Sequence, residues 1–302
     1  MIRLRRSLLY IPASSRKMLE KAPSLPADGF ILDLEDGVAL SQKATARDEL
    51  VRALREIDFG GRERVVRING LASAWWRDDL AAVVEGRADT LLLPKASSAD
   101  EVREVEAALA RGEARAGVAA RTIGLALMIE NPAGVADARA IAAASPRVNC
   151  LIFGSADYTK ETRGRGTPDR IELLYPLNQI LLAARLAGAD ALDAPCFTIR
   201  DEALLRHECG AVRALGFDGK TVIHPSQIGP VNAAFAPDEA ELAEAHKVIA
   251  AYEVAEREGR GVIDLDGRLI EALHVTVARR TLGLAAEIGK RQEAQGQKRH
   301  EP

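Results

Sequence analysis

The sequence predicts an α/β protein, a (β/α)8 TIM barrel with a C-terminal helical extension. Three observations carry this reading. Eight short apolar runs lie within residues 1–235 of a 302-residue chain. Nearly every run is followed by a helical segment. The conspicuous polar residues fall where the runs end, which is where a barrel places its chemistry. A doubly wound sheet would suit fewer strands, and length by itself admits one barrel or two ordinary domains.

The first run spans Ser7 to Ala13, with Ser14-Ser15 as helix caps and a helix over Arg16 to Lys21. F-I-L-D-L-E-D-G is the second strand, ending in Asp33, Glu35 and Asp36, and a charged helix over Gln42 to Ile57 follows. R-V-V-R-I-N-G is the third, carrying Arg67 and Asn69, with a helix over Trp75 to Val84. T-L-L-L-P-K ends at Lys95 and leads to a helix over Ala99 to Leu109. The fifth and sixth strands lie within Thr122 to Asp157, separated by an Ala-rich helical run. Pro168 to Gly188 reads as one long helix, Ala191 to Cys196 as a strand carrying Asp193, Asp201 to Leu215 as an amphipathic helix, and Gly219 to Pro225 as the eighth strand, ending at His224. Residues 236–302 form the extension: a helix over Asp238 to Glu258, a glycine-punctuated connection to Gly267, a helix over Glu271 to Lys290 and a polar, frayed end. Such an appendage is expected to pack on its own barrel or on a neighbouring subunit.

Composition narrows the function. A formal charge of −3 and a pI near 6.0 give no electrostatic case for nucleic acid or an anionic membrane. No apolar run approaches a membrane span, and the basic start M-I-R-L-R-R-S-L-L-Y-I-P stops at Pro12, too early for an export signal. Cys150, Cys196 and Cys209 lack C-x-x-C spacing and fit a reducing, cytoplasmic setting. No G-x-S-x-G elbow, P-loop or G-x-G-x-x-G is present.

Glu130 and Asp157 close the fifth and sixth strands. Parallel strands end on one face, so the two carboxylates can meet there as oxygen ligands of a hard divalent cation; alternatively, each is an acid at a helix N-terminus. Asp33 and Glu35 share one strand face and Asp36 the other, and three acids at one strand end need a metal, a cation or solvent to offset their repulsion. Arg67, a charge in an apolar strand, suits either a substrate carboxylate or an ion pair with an acid of the second strand, and Lys95 has the same two readings. His224 is more often hydrogen-bonded structure than catalyst. Ser14 and Arg16 sit where a helix start would hold a phosphate.

The motifs R-S-L-L-Y-I-P-A, A-D-G-F-I-L-D-L-E-D-G-V with a following K-x-x-A-R, V-R-I-N, L-P-K, M-I-E-N-P-x-G-V, F-G-S-A-D-Y, L-G-F-D-G-K-T-V-I-H-P-S-Q-I and D-G-R-L-I occur in order from Arg6 to about Ala285. Together they resemble the HpcH/HpaI aldolase and citrate lyase beta-subunit family, in particular its CoA-ester lyases acting on malyl-, citramalyl- or citryl-CoA. The resemblance implies a barrel dependent on Mg²⁺, with Mn²⁺ as a substitute, assembled as homotrimers or hexamers, and a reversible Claisen-type reaction joining acetyl-CoA or propionyl-CoA to a 2-oxo acid. It implies Glu130 and Asp157 as metal ligands, Asp33, Glu35 and Asp36 as carboxylates behind them, and Arg67 as the cation that grips the 2-oxo acid. Ser14, Arg16, Lys95, Gly154, Ser155 and His224 become candidates for substrate or CoA binding. Its alternatives are an acyl-carrier-protein thioester as substrate or a free 4-hydroxy-2-oxo acid.

Two departures stand out. Relatives carry an aspartate after the D-G motif, reaching across a subunit boundary as acid or base at the acyl carbon; the matching residue here is Glu271, one methylene longer. The segment after Asp157 is basic, with Lys160, Arg163 and Arg165, and is either a contact for a further anionic group or a solvated loop.

Overall fold

The computed structural model describes residues 2–298. Eight parallel strands close into a barrel in sequence order: β1 (Ser7–Pro12), β2 (Gly29–Asp33), β3 (Glu63–Arg67), β4 (Thr90–Leu93), β5 (Gly124–Ile129), β6 (Val148–Phe153), β7 (Asp190–Asp193) and β8 (Gly219–Val222). The seam between β1 and β8 pairs Ser7 with Lys220. The helices are α1 (Arg16–Lys21), α2 (Lys43–Glu56), α3 (Trp76–Gly86), α4 (Ala99–Arg115), α5 (Pro132–Ala136), α6 (Ala138–Ala142), α7 (Ser155–Thr162), α8 (Leu174–Ala187), α9 (Glu202–Leu215) and α10 (Ile228–Ala234). No helix among the described residues is long and apolar enough to cross a membrane.

Strand periodicity decides what faces inward. Leu8, Ile31, Val65, Leu92, Ala126, Met128, Cys150, Ile152 and Leu192 form one buried cluster along the barrel axis, with Tyr10 packed against it. Residues two positions away on each strand share that face. Toward the strand starts this face becomes polar: buried Arg5 donates to both oxygens of Glu63 at 2.7 Å, to Asp190 at 3.0 Å and to the Asn149 carbonyl at 2.6 Å. The arginine thus ties the starts of β3, β6 and β7 together and closes the bottom of the barrel.

Odd-phase residues face the helices. Asp193 follows inward-facing Leu192 and therefore points outward, where Arg170 holds both its oxygens at 2.8 Å and Lys220 donates at 2.5 Å. Lys220 also lies 2.8 Å from Glu208 of α9. Asp193 and Lys220 are completely buried, so Asp193 belongs to the barrel wall and not to the mouth where the sequence placed it. The same pair explains why the helix predicted from Pro168 begins only at Leu174, after a 3-10 turn over Ile171–Leu173: Arg170 adopts a left-handed φ of 52° as it turns toward Asp193. The seventh strand is correspondingly earlier than predicted, and α10 and the extra turns of α4 were not anticipated.

Residues 5–234 make one compact unit; residues 2–4 and 235–298 make a second. The second contains α11 (Glu239–Arg257), whose N-terminus is closed by a reciprocal capping box between Asp238 and Glu241, then β9 (Val262–Leu265), β10 (Arg268–Glu271) and α12 (Ala272–Lys298). The predicted glycine-punctuated connection is therefore an antiparallel hairpin. Asp266 and Gly267 supply the two positive φ values, 55° and 78°, that a tight two-residue hairpin turn requires. Ala245, Val248, Ile263, Ile270, Val275 and Ala278 form its core. The last helix continues through residue 298, past the predicted fraying point, and residues 299–302, including His300, lie outside the described part.

Burial pushes the Asp193 carboxyl up, but Lys220 and Arg170 outweigh it and hold the group at about 2, below its ordinary 3.8. A depressed carboxylate stabilises the fold above its unfolded-state value and loses that contribution as pH falls, here between about pH 4 and 2, by about 2 kcal/mol. Asp193→Asn is expected to cost about 3 kcal/mol at neutral pH by leaving Lys220 and Arg170 against a neutral amide. In urea unfolding, the gap between variant and parent should narrow as the pH is lowered through this range.

Candidate active site

The inward face that carries Ile31, Val65 and Met128 continues to Asp33, Arg67 and Glu130, so three charges arrive at the mouth by the alternation that builds the core. Asp33 and Arg67 are also register partners across β2 and β3. Arg67 Nε and Nη2 each donate to Asp33 at 2.7 Å, and its plane lies 5.0 Å over the ring of Tyr10. This is the ion pair that the sequence offered as one of two readings.

The strand alternation ends at Asp33. The amides of Glu35 and Gly37 donate to the two Asp33 oxygens at 2.9 and 2.8 Å and fold the chain into a tight turn. Arg67 Nη1 therefore reaches Glu35 at 3.1 Å and Asp36 at 3.8 Å, so the three acids surround one guanidinium; the predicted opposite face for Asp36 does not arise. Glu35 is buried, and its Oε2 makes no hydrogen bond. Burial raises the Glu35 carboxyl even against Arg67 and Lys95.

Lys95 joins this turn to Glu130. It holds a left-handed φ of 54°, a costly conformation for a side chain-bearing residue. Its amide donates to Glu130 Oε1 at 2.8 Å and its ammonium to Glu35 Oε1 at 2.8 Å. Glu130 is buried just before the Asn131 cap and Pro132 that open α5. Burial, then the charges of Glu35 and Asp157, push Glu130 up to about 8. Gly154 makes room for it: a Cβ there would stand 2.4 Å from Glu130 Cβ and 2.5 Å from Oε2. Asp157 lies inside the first turn of α7, one-third exposed, with Lys160 at 4.0 Å; the sequence had placed it before the helix.

The mouth thus holds five carboxylates, Asp33, Glu35, Asp36, Glu130 and Asp157, with Arg67 and Lys95 among them, Lys160 4.0 Å from Asp157 and Lys43 behind the main chain of Glu35, one positive charge fewer than the acids. Fully ionised, it carries surplus negative charge on hard oxygen donors, and a raised Glu130 beside the unbonded Glu35 oxygen shows the strain of that surplus. Those features fit a divalent cation. Among the described residues no three acidic, histidine or cysteine side chains already converge as a closed metal site, since Arg67, Lys95 and main-chain amides share out the oxygens. Glu130 and Asp157, which feel each other's charge, are the candidate pair of oxygen donors.

The remaining candidates have contacts of their own. Arg16 pairs with Glu20, Glu49 and Glu56 of α1 and α2 at 2.7, 3.3 and 3.0 Å, so its charge is met within the protein. Ser14 is half-buried in the turn before α1, and Ser155 is the first residue of α7. His224 accepts the Ser226 amide on Nδ1 at 3.2 Å and lines a cleft with Arg200, Glu202 and Gln227 that none of Asp33, Glu35, Asp36, Glu130 and Asp157 borders. Arg163 is a left-handed helix cap, exposed, as is Arg165. Glu271 belongs to the second unit, where its amide donates to His274 Nδ1 at 3.0 Å. Two contributors escaped the list read from sequence. Tyr10 is an ordinary apolar position until β1 places it under Arg67. Lys43 is the lysine of the K-x-x-A-R motif and opens α2 with a positive charge, against the helix dipole; the motif and this local misfit were the available signals.

Comparison with known proteins follows this geometry. The family model described as HpcH/HpaI aldolase/citrate lyase matches residues 6–225, and one described as a C–C bond lyase of the TIM-barrel fold matches 178–289. A (3S)-malyl-CoA thioesterase of Cereibacter sphaeroides is 43% identical over 94% of this chain and 95% of its own. Citrate lyase subunit beta of Escherichia coli is 38% identical over 96% of each chain. The structure of CitE from Mycobacterium tuberculosis in complex with magnesium, acetoacetate and coenzyme A superposes with a TM-score of 0.74 at 33% identity, covering 93% of this chain and 98% of that one. With nearly its whole length matched in this way, the chain belongs to the HpcH/HpaI aldolase/citrate lyase family of carbon–carbon lyases.

Proposed function

We propose that the protein is a Mg²⁺-dependent lyase of CoA thioesters, breaking or forming the carbon–carbon bond between acetyl-CoA or propionyl-CoA and a 2-oxo acid. The observation that carries this is the excess of carboxylates at the barrel mouth, with Glu130 buried at the end of β5 and Asp157 nearby. Glu130 and Asp157 would hold the cation, and the ion would supply Lewis acidity toward the oxygens of the 2-oxo acid. Magnesium and coenzyme A in the related CitE structure support a Mg²⁺-dependent reading with a CoA compound as substrate.

Arg67 would meet the oxo-acid end with Nη1, giving up part of its contact with Glu35 and Asp36, since Nε and Nη2 are committed to Asp33. That commitment orients the guanidinium before substrate arrives, so little reorganisation accompanies charge development. Lys95, tethered to Glu35 yet half-exposed, would face an incoming anion. On cleavage, the substrate hydroxyl would give up its proton to solvent and become the carbonyl of the 2-oxo acid, while the electron pair of the broken bond passes to the acyl carbon and its thioester carbonyl. Glu271 would return a proton to that carbon, or remove it in the condensing direction. This role is compatible with delivery from a neighbouring subunit in a homotrimer or hexamer. Exposed apolar residues support such assembly: Ile171, Leu174, Tyr175, Leu182 and Leu186 run along α8 and the turn before it, and Leu269, Leu273 and Val277 flank Glu271 in sequence.

Two related readings keep specific support. Identity to the thioesterase favours hydrolysis of the thioester by the same site, and identity to citrate lyase subunit beta favours an acyl-carrier thioester. Products separate them. Malyl-CoA cleaved by a lyase yields glyoxylate and acetyl-CoA, whereas hydrolysis yields malate and free CoA thiol. The expected result is Mg²⁺-dependent release of a 2-oxo acid from malyl-, β-methylmalyl-, citramalyl- or citryl-CoA, abolished by EDTA; thiol release without oxo acid would replace the lyase reading with the hydrolytic one.

Glu130→Gln and Asp157→Asn should each lower that turnover at least about a hundredfold and remove stabilisation by MgCl₂ in thermal melts. Gly154→Ala should do likewise with its far-UV circular dichroism retained, because the added Cβ displaces Glu130. Glu271→Asp should retain more turnover than Glu271→Ala, with Mg²⁺ affinity unchanged in both; equal loss in the two would remove Glu271 from the proton transfer.

A further inference from the structure

We infer that Lys43 is the positioning residue of the acidic turn, holding Glu35 and Asp36 in the geometry that the cation site needs. The inference rests on the assignment of Glu130 and Asp157 as cation ligands and concerns a residue outside that set. Lys43 is 5% exposed, and its ammonium donates to the main-chain carbonyls of Leu34 at 2.7 Å and Glu35 at 2.6 Å. It also lies 5.7 Å from the ring centroid of Trp75, on the loop after β3.

The turn between Asp33 and Gly37 is thus gripped from two sides. On the carboxylate side are Arg67, Lys95 and the two amides bonded to Asp33. On the carbonyl side are Lys43 and Asn69, whose Nδ2 donates to the Leu34 carbonyl at 2.9 Å. Asn69 is itself held by Asp79 at 2.6 Å, and Arg47, one helical turn beyond Lys43 on α2, holds Asp79 at 3.2 Å. Four side chains from α2, α3 and the end of β3 therefore lock two consecutive carbonyls.

A cation is suited to that place for two reasons. Leu34 O and Glu35 O are buried acceptors that would otherwise lack a charged donor. A positive charge behind the turn also offsets the mutual repulsion of Asp33, Glu35 and Asp36 without occupying any of their oxygens. Arg67 and Lys95 offset the same repulsion by binding those oxygens directly. Lys43 therefore stabilises the turn while leaving the carboxylates free to respond to a cation. This accounts for a lysine at a helix N-terminus, where the dipole disfavours it.

Two readouts test the role in the full-length protein. Mg²⁺ alone, titrated calorimetrically without substrate, should bind Lys43→Met about tenfold more weakly than the parent, the scale seen when groups supporting metal ligands are removed. Hydrogen exchange followed by mass spectrometry should show faster exchange confined to peptides covering residues 33–38, with the other barrel peptides unchanged. Lys43→Arg should recover part of both, and Lys43→Gln, which keeps a donor without the charge, serves if the methionine variant does not fold. Unchanged Mg²⁺ affinity and unchanged exchange at residues 33–38 in a folded variant, even with a lowered melting temperature, would overturn the inference and leave Lys43 a packing residue. If the parent takes up no Mg²⁺ and Glu130→Gln behaves identically, the cation site itself fails, and the exchange measurement alone then decides the role of Lys43.

Discussion

Carboxylate repulsion at the barrel mouth is the constraint on which the functional end of this protein depends. Asp33, Glu35, Asp36, Glu130 and Asp157 approach one another in a partly desolvated space where like charges are expensive. The structure meets this with directional contacts. Asp33 receives two amides and a bidentate guanidinium, Glu130 receives an amide, and Glu35 receives an ammonium. Each contact also fixes an orientation. The measures that make the cluster tolerable are the ones that preorganise it, and the residual excess of negative charge is what the proposed cation would offset.

Local backbone features follow from this need. The left-handed Lys95 aims an amide and an ammonium at different acids, which an extended residue in line with β4 would not do. Gly154 is required by the closeness of Glu130 and not by its own dihedral angles. Asp33 ends its strand because both its oxygens are used to fold the next four residues back. The opposite end shows the contrasting solution: Arg5, Glu63 and Asp190 close it with a buried charge network, making a rigid floor. Asp193, Lys220, Arg170 and Glu208 do the same on the outer wall.

Much of this was legible in the residues. Alternating apolar runs and helices announced the barrel because strand and helix periods are local properties of the chain. Arg67, Glu130 and Lys95 were found because charges at the ends of apolar strands are conspicuous. Asp193 looked the same in sequence and proved structural, since a shift of one residue reverses the face on which a side chain lies. The hairpin before Glu271 was missed although V-I-D-L-D-G-R-L-I-E contains a strong Asp-Gly turn signal; its glycine-rich flank suggested a connection instead.

The sequence alone determined the fold class, the order of the motifs and the set of acids available at the strand ends, because these depend on periodicity and residue chemistry along the chain. Tertiary structure decided which charges meet. Arg67 could have faced a ligand or an acid, and parallel pairing of β2 with β3 put it beside Asp33. Tyr10 met Arg67 only when β3, far along the chain, closed beside β2 and β1, whereas Lys43 reached carbonyls only eight and nine residues before it through the fold of the turn. Arg16 left it for partners on α2. Ion pairs and side-chain hydrogen bonds act over a few ångströms in space without regard to distance in sequence, so their partners are settled only when the barrel closes.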